Sequence, residues 1–214
     1  MNKLKVLSKV IESKGGIKPQ FTFYHVVKAM ELLKENESLG RHHLMRELML
    51  GEASVKTLIR RLKELNLVET SRPYGTRLTS LGLELVNYVN SLIKMLPELP
   101  KEGLCVKCRL SGVVVKEGST LLTRYDVLKI RDLVVRHGAE GAVIILFKDS
   151  VAYMPTSTGE ELVKDLKAVE HVLKSGYVTN NDLLIIAICG EELPHQLCYA
   201  SAVNAVIDIL VHAF

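Results

Sequence analysis

Tryptophan is absent from the chain, and four phenylalanines and seven tyrosines are its only large aromatic side chains. So few flat rings argue against a stacking platform for single-stranded nucleic acid. Long apolar runs are missing too. The longest charge-free stretch, residues 193–207, is interrupted by Pro194, His195, Gln196 and Asn204 and is too short to span a bilayer. Glu12 and several lysines break up the apolar residues near the N-terminus, so no secretory pattern is present and a cytoplasmic protein without a membrane partner is expected. There is no glycine-rich phosphate loop, serine elbow or paired-carboxylate motif, and so nothing points to an enzyme or to a cofactor. The four cysteines all lie in the second half and do not read as a secreted disulfide framework.

What is present is enough for two domains: 214 residues, of which 48% are hydrophobic. The net charge of +4 is unevenly spread. Residues 1–100 carry 16 Lys+Arg against 10 Asp+Glu, a net +6, and residues 101–214 carry 12 against 14, a net −2. A basic half joined to a slightly acidic half fits a nucleic-acid module attached to a second domain.

Residues 1–19 form a basic segment ending in Gly15, Gly16 and Pro19, which reads as a detachable lead-in. From Thr22, a capping residue, Val26, Val27, Met30 and Leu33 recur at helical spacing. A second helix is expected over residues 41–49, a turn at Gly51 and Glu52, and a third helix over 53–65. The third has Val55, Leu58, Ile59, Leu62 and Leu65 on one stripe. Asn66 suits a left-handed cap at its end. Residues 67–70 and 76–78 read as two short strands around a hairpin tip at 72–75. Thr79 caps a fourth helix that the spacing of Leu81, Leu85, Tyr88, Leu92 and Met95 carries to residue 95, and Pro97 and Pro100 close it.

The run from Gly51 to Glu69, followed by Gly75-Thr76-Arg77-Leu78-Thr79-Ser80-Leu81-Gly82, resembles winged helix-turn-helix transcriptional regulators over about residues 22–95. The shared order is turn, recognition helix, a Leu67-Val68-Glu69 strand, wing, then Leu78-Thr79 and Gly82; Asn66 stands where many relatives have glycine. More loosely, the whole chain is similar to an archaeal family that joins such a head to an uncharacterised C-terminal α/β domain. The resemblance implies double-stranded DNA as the partner and a wing lying over the duplex.

Helical geometry supports that implication. Opposite the apolar stripe of 53–65 stand Lys56, Thr57, Arg60 and Glu64, flanked by Arg61 and Lys63. Lys56, Thr57 and Arg60 occupy the first turns, which meet base edges in the major groove, and Arg60 suits a bidentate pair with guanine. Arg61 and Lys63 are expected on phosphates, and the wing adds Arg72, Tyr74 and Arg77. Arg41, His42 and His43 stand at the start of the preceding helix, within reach of a phosphate. One recognition helix covers few base pairs, so a homodimer is expected, with the seam of the fourth helix as one surface for it. Glu52 and Glu64 near the same face leave open a different use, docking a protein partner.

The second half shows β-branched runs at 104–115, 141–148, 151–154 and 183–189, with helical patterns at 123–136, 159–174 and 196–211. The order β-α-β-β-α-β-α predicts a mixed-sheet α/β domain. Cys105, Cys108, Cys189 and Cys198, with His195 nearby, have the residue types of a zinc or redox site. Strand alternation points residues three apart to opposite faces, which favours buried structural thiols over a metal. Thr156, Ser157 and Thr158 before Gly159 read as a helix cap, and the polar residues 190–195 as a loop after a strand end. The chain is therefore expected to be an α/β protein of two domains, a winged helix-turn-helix at 20–96 and an α/β domain at 101–214. The second would sense a small-molecule effector, form the dimer or, in a less favoured reading, act as a DNA-tethered enzyme or metal or redox sensor.

Overall fold

In a computed structural model of the chain, which describes residues 3–71, 73–156 and 158–213, the divide between two compact units falls between Asn90 and Ser91. The first unit begins with α1 (Lys5–Ile11), which buries Leu7 and Val10 beside Leu4. Residues 4–11 are thus packed and not part of a detachable lead-in, because three buried apolar side chains recur at helical spacing. Next come α2 (Phe23–Glu35), α3 (Arg41–Leu48) and α4 (Glu52–Glu64). The α2 start is a reciprocal cap: the Thr22 backbone N–H donates to His25 Nδ1 at 3.1 Å.

The left-handed residue between α3 and α4 is Met49, with φ 52°, and the turn it begins runs through Leu50 to Gly51. Val55, Leu58 and Leu62 of α4 are fully buried, and burying side chains of this size contributes roughly 1.5–3 kcal/mol each. Asn66 ends the helix with φ 56°. Then β1 (Val68–Ser71) and β2 (Gly75–Leu78) pair as an antiparallel hairpin, and Leu39 adds a bridge on the far side of Thr76. Close approach explains two of the glycines. A Cβ on Gly75, whose φ is 100°, would lie 2.6 Å from the Leu39 carbonyl oxygen, and one on Gly82 would overlap the carbonyl oxygen of Leu67.

Gly82 lies in α5 (Ser80–Leu92), whose start is capped by the Thr79 hydroxyl accepting from the Gly82 N–H at 3.0 Å. The helix stops three residues short of the expected end. Ile93–Leu99 is instead an edge strand, β3, of the second unit, so the expected limits of 96 and 101 do not coincide with the observed divide. Pro97 is tolerated there because β3 has one neighbour only, and its carbonyl oxygen accepts from the buried Ser111 hydroxyl at 2.6 Å across a break in register.

The second unit continues with β4 (Cys108–Val115), a 3₁₀ turn at Gly118–Thr123, α6 (Val127–Arg136), β5 (Gly141–Lys148), β6 (Val151–Thr156) and β7 (Gly159–Leu162). It ends with α7 (Lys167–Lys174), β8 (Leu183–Gly190) and α8 (His195–Ala213). The sheet order is β3-β4-β8-β5-β6-β7, and every neighbouring pair is antiparallel.

The mixed sheet expected from the alternation of elements is therefore not formed. The β4-α6-β5 crossover skips one position, and β8 enters that gap running the other way, so the two parallel strands never touch. Residues 159–162, expected to start a helix, are the returning strand of a hairpin, and Ser157 lies outside the described residues. One face of the sheet packs Leu110, Val114, Phe147, Leu184 and Ile186 under Ala168, Val169 and Val172 of α7. The other is covered by α6 and α8.

Among the described residues no helix is long and apolar enough to cross a membrane.

Candidate nucleic-acid interface

With its apolar stripe turned into the first unit, α4 presents Lys56, Arg60 and Lys63 outward, all exposed. The β1–β2 hairpin stands beside that face, and the two enclose an open cleft of about 930 Å³. Lys56, Arg60 and Lys63 line it from α4, Thr70, Pro73 and Thr76 from the hairpin, and Arg41 and His42 from the start of α3. Three of the expected contact residues thus meet in one place, with two of the α3 residues suggested for a phosphate. Within the cleft, Lys63 Nζ donates to Thr70 Oγ1 at 3.1 Å, tying helix to hairpin.

Arg60 Nη1 lies 2.5 Å from Glu64 Oε1, and Lys14 Nζ is 3.0 Å from the other oxygen of the same carboxylate. Lys14 first, and then Arg60, hold the Glu64 carboxyl below its ordinary value. Glu52 is likewise paired, 3.1 Å from Arg41. The two acidic residues on this face are therefore neutralised by neighbouring cations. Such exposed pairs are cheap to exchange for another anion.

The remaining expected residues divide. Thr57 is half-buried on the neighbouring flank of α4, in a smaller cleft with Ser54, Lys14 and Lys18. Arg61 is 5% exposed and is not available for a phosphate. Its Nη1 donates to the carbonyl oxygens of Val10 and Glu12, both at 2.6 Å, and its guanidinium lies 5.5 Å from the centre of the buried Phe21 ring. Tyr74 is 73% exposed at the hairpin tip. Arg77 is paired across the hairpin with Glu69 at 2.7 Å, on the face away from Thr70 and Thr76. Arg72 lies outside the described residues.

The cysteines of the second unit are joined as Cys105–Cys108 and Cys189–Cys198, and no described cysteine is free. The buried free thiols expected from the sequence are therefore disulfides. Cys105 precedes β4 instead of lying in it, so strand alternation does not separate it from Cys108. The four do not gather into one site, and no group of three or more His, Cys, Asp or Glu among the described residues is placed to hold a metal ion.

Residues 109–209 match a family described as Domain of unknown function (DUF4443). The match runs from β4 into α8, within the second unit. A solved structure of a hypothetical protein from Pyrococcus horikoshii OT3 is similar, with a TM-score of 0.59 and 24% identity over 89% of this chain and 91% of that one. This likeness extends over both units and concerns the fold. Among curated proteins no sequence matches the chain.

Proposed function

We propose that the first unit is a winged helix-turn-helix that binds double-stranded DNA, with α4 as recognition helix and the β1–β2 hairpin as wing, and that the protein is a transcriptional regulator. The observation that carries this reading is the cleft between α4 and the hairpin, where Arg41, Lys56, Arg60 and Lys63 converge. A helix with its side chains is about 10–12 Å across and enters a major groove about 12 Å wide. Lys56 and Arg60 then face base edges while Lys63 and Arg41 meet phosphates, the first giving sequence preference and the second affinity. The paired state of Arg60 fits this role, because Glu64 holds the guanidinium in place before a guanine edge replaces it.

Two copies reading half-sites one helical turn apart would supply the affinity that one helix lacks. The second unit is then the place for dimerisation or for sensing a small effector.

The test is selection of duplexes from a random pool by the purified protein at two salt concentrations, followed by the Arg60→Glu variant on the selected site. Enrichment of a palindromic sequence and loss of its binding by Arg60→Glu are expected. Weak binding without enrichment, or full affinity in Arg60→Glu, overturns the assignment and leaves a protein-docking surface.

A further inference from the structure

Between α1 and α2 the chain makes a tight turn on the flank of α4 away from the hairpin. Lys14 and Ile17 bridge antiparallel, and Gly15 and Gly16 between them have φ of 62° and 80°. Two successive left-handed residues are the signature of a two-residue hairpin turn, and glycine adopts them without strain. The turn is held from α4 at three points: Arg61 holds the Glu12 carbonyl, Lys14 pairs with Glu64, and the Ser54 hydroxyl donates to Gln20 Oε1 at 2.8 Å. Its outer side is bare. Ile17 is 76% exposed, and Lys18 is exposed with no ion pair among the described residues. Together with Ser54, Thr57 and Arg60 of α4, the turn encloses a second cleft of about 390 Å³. Arg60 lines both clefts and stands on the ridge between them.

We infer that this turn is a second contact for duplex DNA, a counterpart of the hairpin on the other flank of α4, with Lys18 meeting a phosphate while Lys14 keeps the turn tied to Glu64. The inference rests on the reading of α4 as a recognition helix. A helix lying in a major groove has a sugar-phosphate backbone on each side. The hairpin cleft serves one of them, and a rigid, positively charged turn on the opposite flank serves the other. This placement also accounts for the buried arginine in α4: Arg61 is spent on fixing the turn beside the helix. A turn anchored in advance loses little freedom on binding, which is what a positioning contact requires.

The experiment uses the full chain and the duplex it selects, with affinity measured across a salt series for wild type, Lys18→Glu and Arg60→Glu. Lys18→Glu is expected to weaken binding about tenfold at low salt, equally for selected and random duplexes, and to lower the slope of log affinity against log salt by about 1. Unchanged affinity and slope in Lys18→Glu, with Arg60→Glu defective, overturns the second contact and leaves the α4 reading standing. If Arg60→Glu binds normally or wild type does not bind duplex at all, both fall. An Ile17→Cys variant carrying a photocrosslinker gives an independent readout: attachment to a DNA strand is expected, and attachment to protein alone overturns the inference.

Discussion

Arg61 of α4 donates to the carbonyl oxygen of Glu12 at 2.6 Å, so a guanidinium in the last turn of one helix fixes the chain leaving another. The same nitrogen reaches the Val10 carbonyl, and the group is almost wholly buried. Hydrogen bonds to a charged donor are worth about 1.5–3 kcal/mol each, and their removal strands two backbone acceptors. Arg61→Ala is therefore expected to cost roughly 3 kcal/mol and to lower the melting temperature of the first unit by about 10 °C or more. Thermal denaturation followed by circular dichroism measures this. Hydrogen exchange should show the lost protection concentrated in residues 4–11, and uniform loss would contradict the clamp.

That arginine also marks where sequence reading succeeded and where it stopped. The stripe of α4, the left-handed Asn66 and the hairpin over residues 68–78 were legible, because each depends on neighbours in the sequence. Charge and a place flanking the polar face of the helix point Arg61 to a phosphate. Yet it lies three residues after Leu58 and four before Leu65, at the edge of the buried stripe, and that spacing was the available signal.

The strand Ile93–Leu99 has no clear signature in the sequence, because Leu92 and Met95 continue a helical spacing that β3 overrides by pairing with β4. The sheet direction had no local signal at all, since it depends on β8 entering between β4 and β5. The turn at residues 14–17 reads as a linker for the same reason: its glycines are visible, but the contacts that hold it span 34 residues or more.

His25 makes the first unit sensitive to acid. Burial lowers its pKa from 6.5 to about 4, and its Nδ1 must stay unprotonated to accept from the Thr22 N–H. The unfolded chain takes up the proton near pH 6.5, whereas the folded chain resists until about pH 4. Stability contributed by the neutral ring is thus complete above pH 6.5 and is lost as the pH falls through that window, on the order of a few kcal/mol in all. His25→Gln keeps an acceptor at the same helix position without the titration. Denaturant unfolding between pH 7 and 4 should show a flatter dependence in that variant, and parallel curves would remove His25 as the cause.

The two disulfides are expected to differ in accessibility. Cys189 and Cys198 are completely buried between β8 and α8, while Cys105 is half-buried in the loop before β4. Under increasing reductant in native buffer, alkylation followed by mass spectrometry should label Cys105 and Cys108 first, and Cys189 and Cys198 only as the unit unfolds. Simultaneous labelling would contradict the burial argument. Closing a loop with a sequence separation of 9 is worth about 2–3 kcal/mol on chain entropy, so the Cys189→Ala, Cys198→Ala double variant should lose at least that much stability.

Arg77 and Lys56 separate the proposed interface from mere positive charge. Both are exposed cations on neighbouring elements, and a nonspecific basic surface would use them alike. The cleft lies on the Thr70 and Thr76 side of the hairpin, however, and Arg77 stands on the opposite side, neutralised by Glu69. Lys56 lines the cleft from the first half of α4, with no ion pair among the described residues. Arg77→Ala should therefore change duplex affinity by less than about twofold and leave its salt slope alone, whereas Lys56→Ala should weaken binding and lower the slope by about 1. Equal losses in the two variants would mean that the duplex wraps the hairpin on both faces. A loss confined to Arg77→Ala would put DNA on the far side of the hairpin and leave the α4 cleft for another partner.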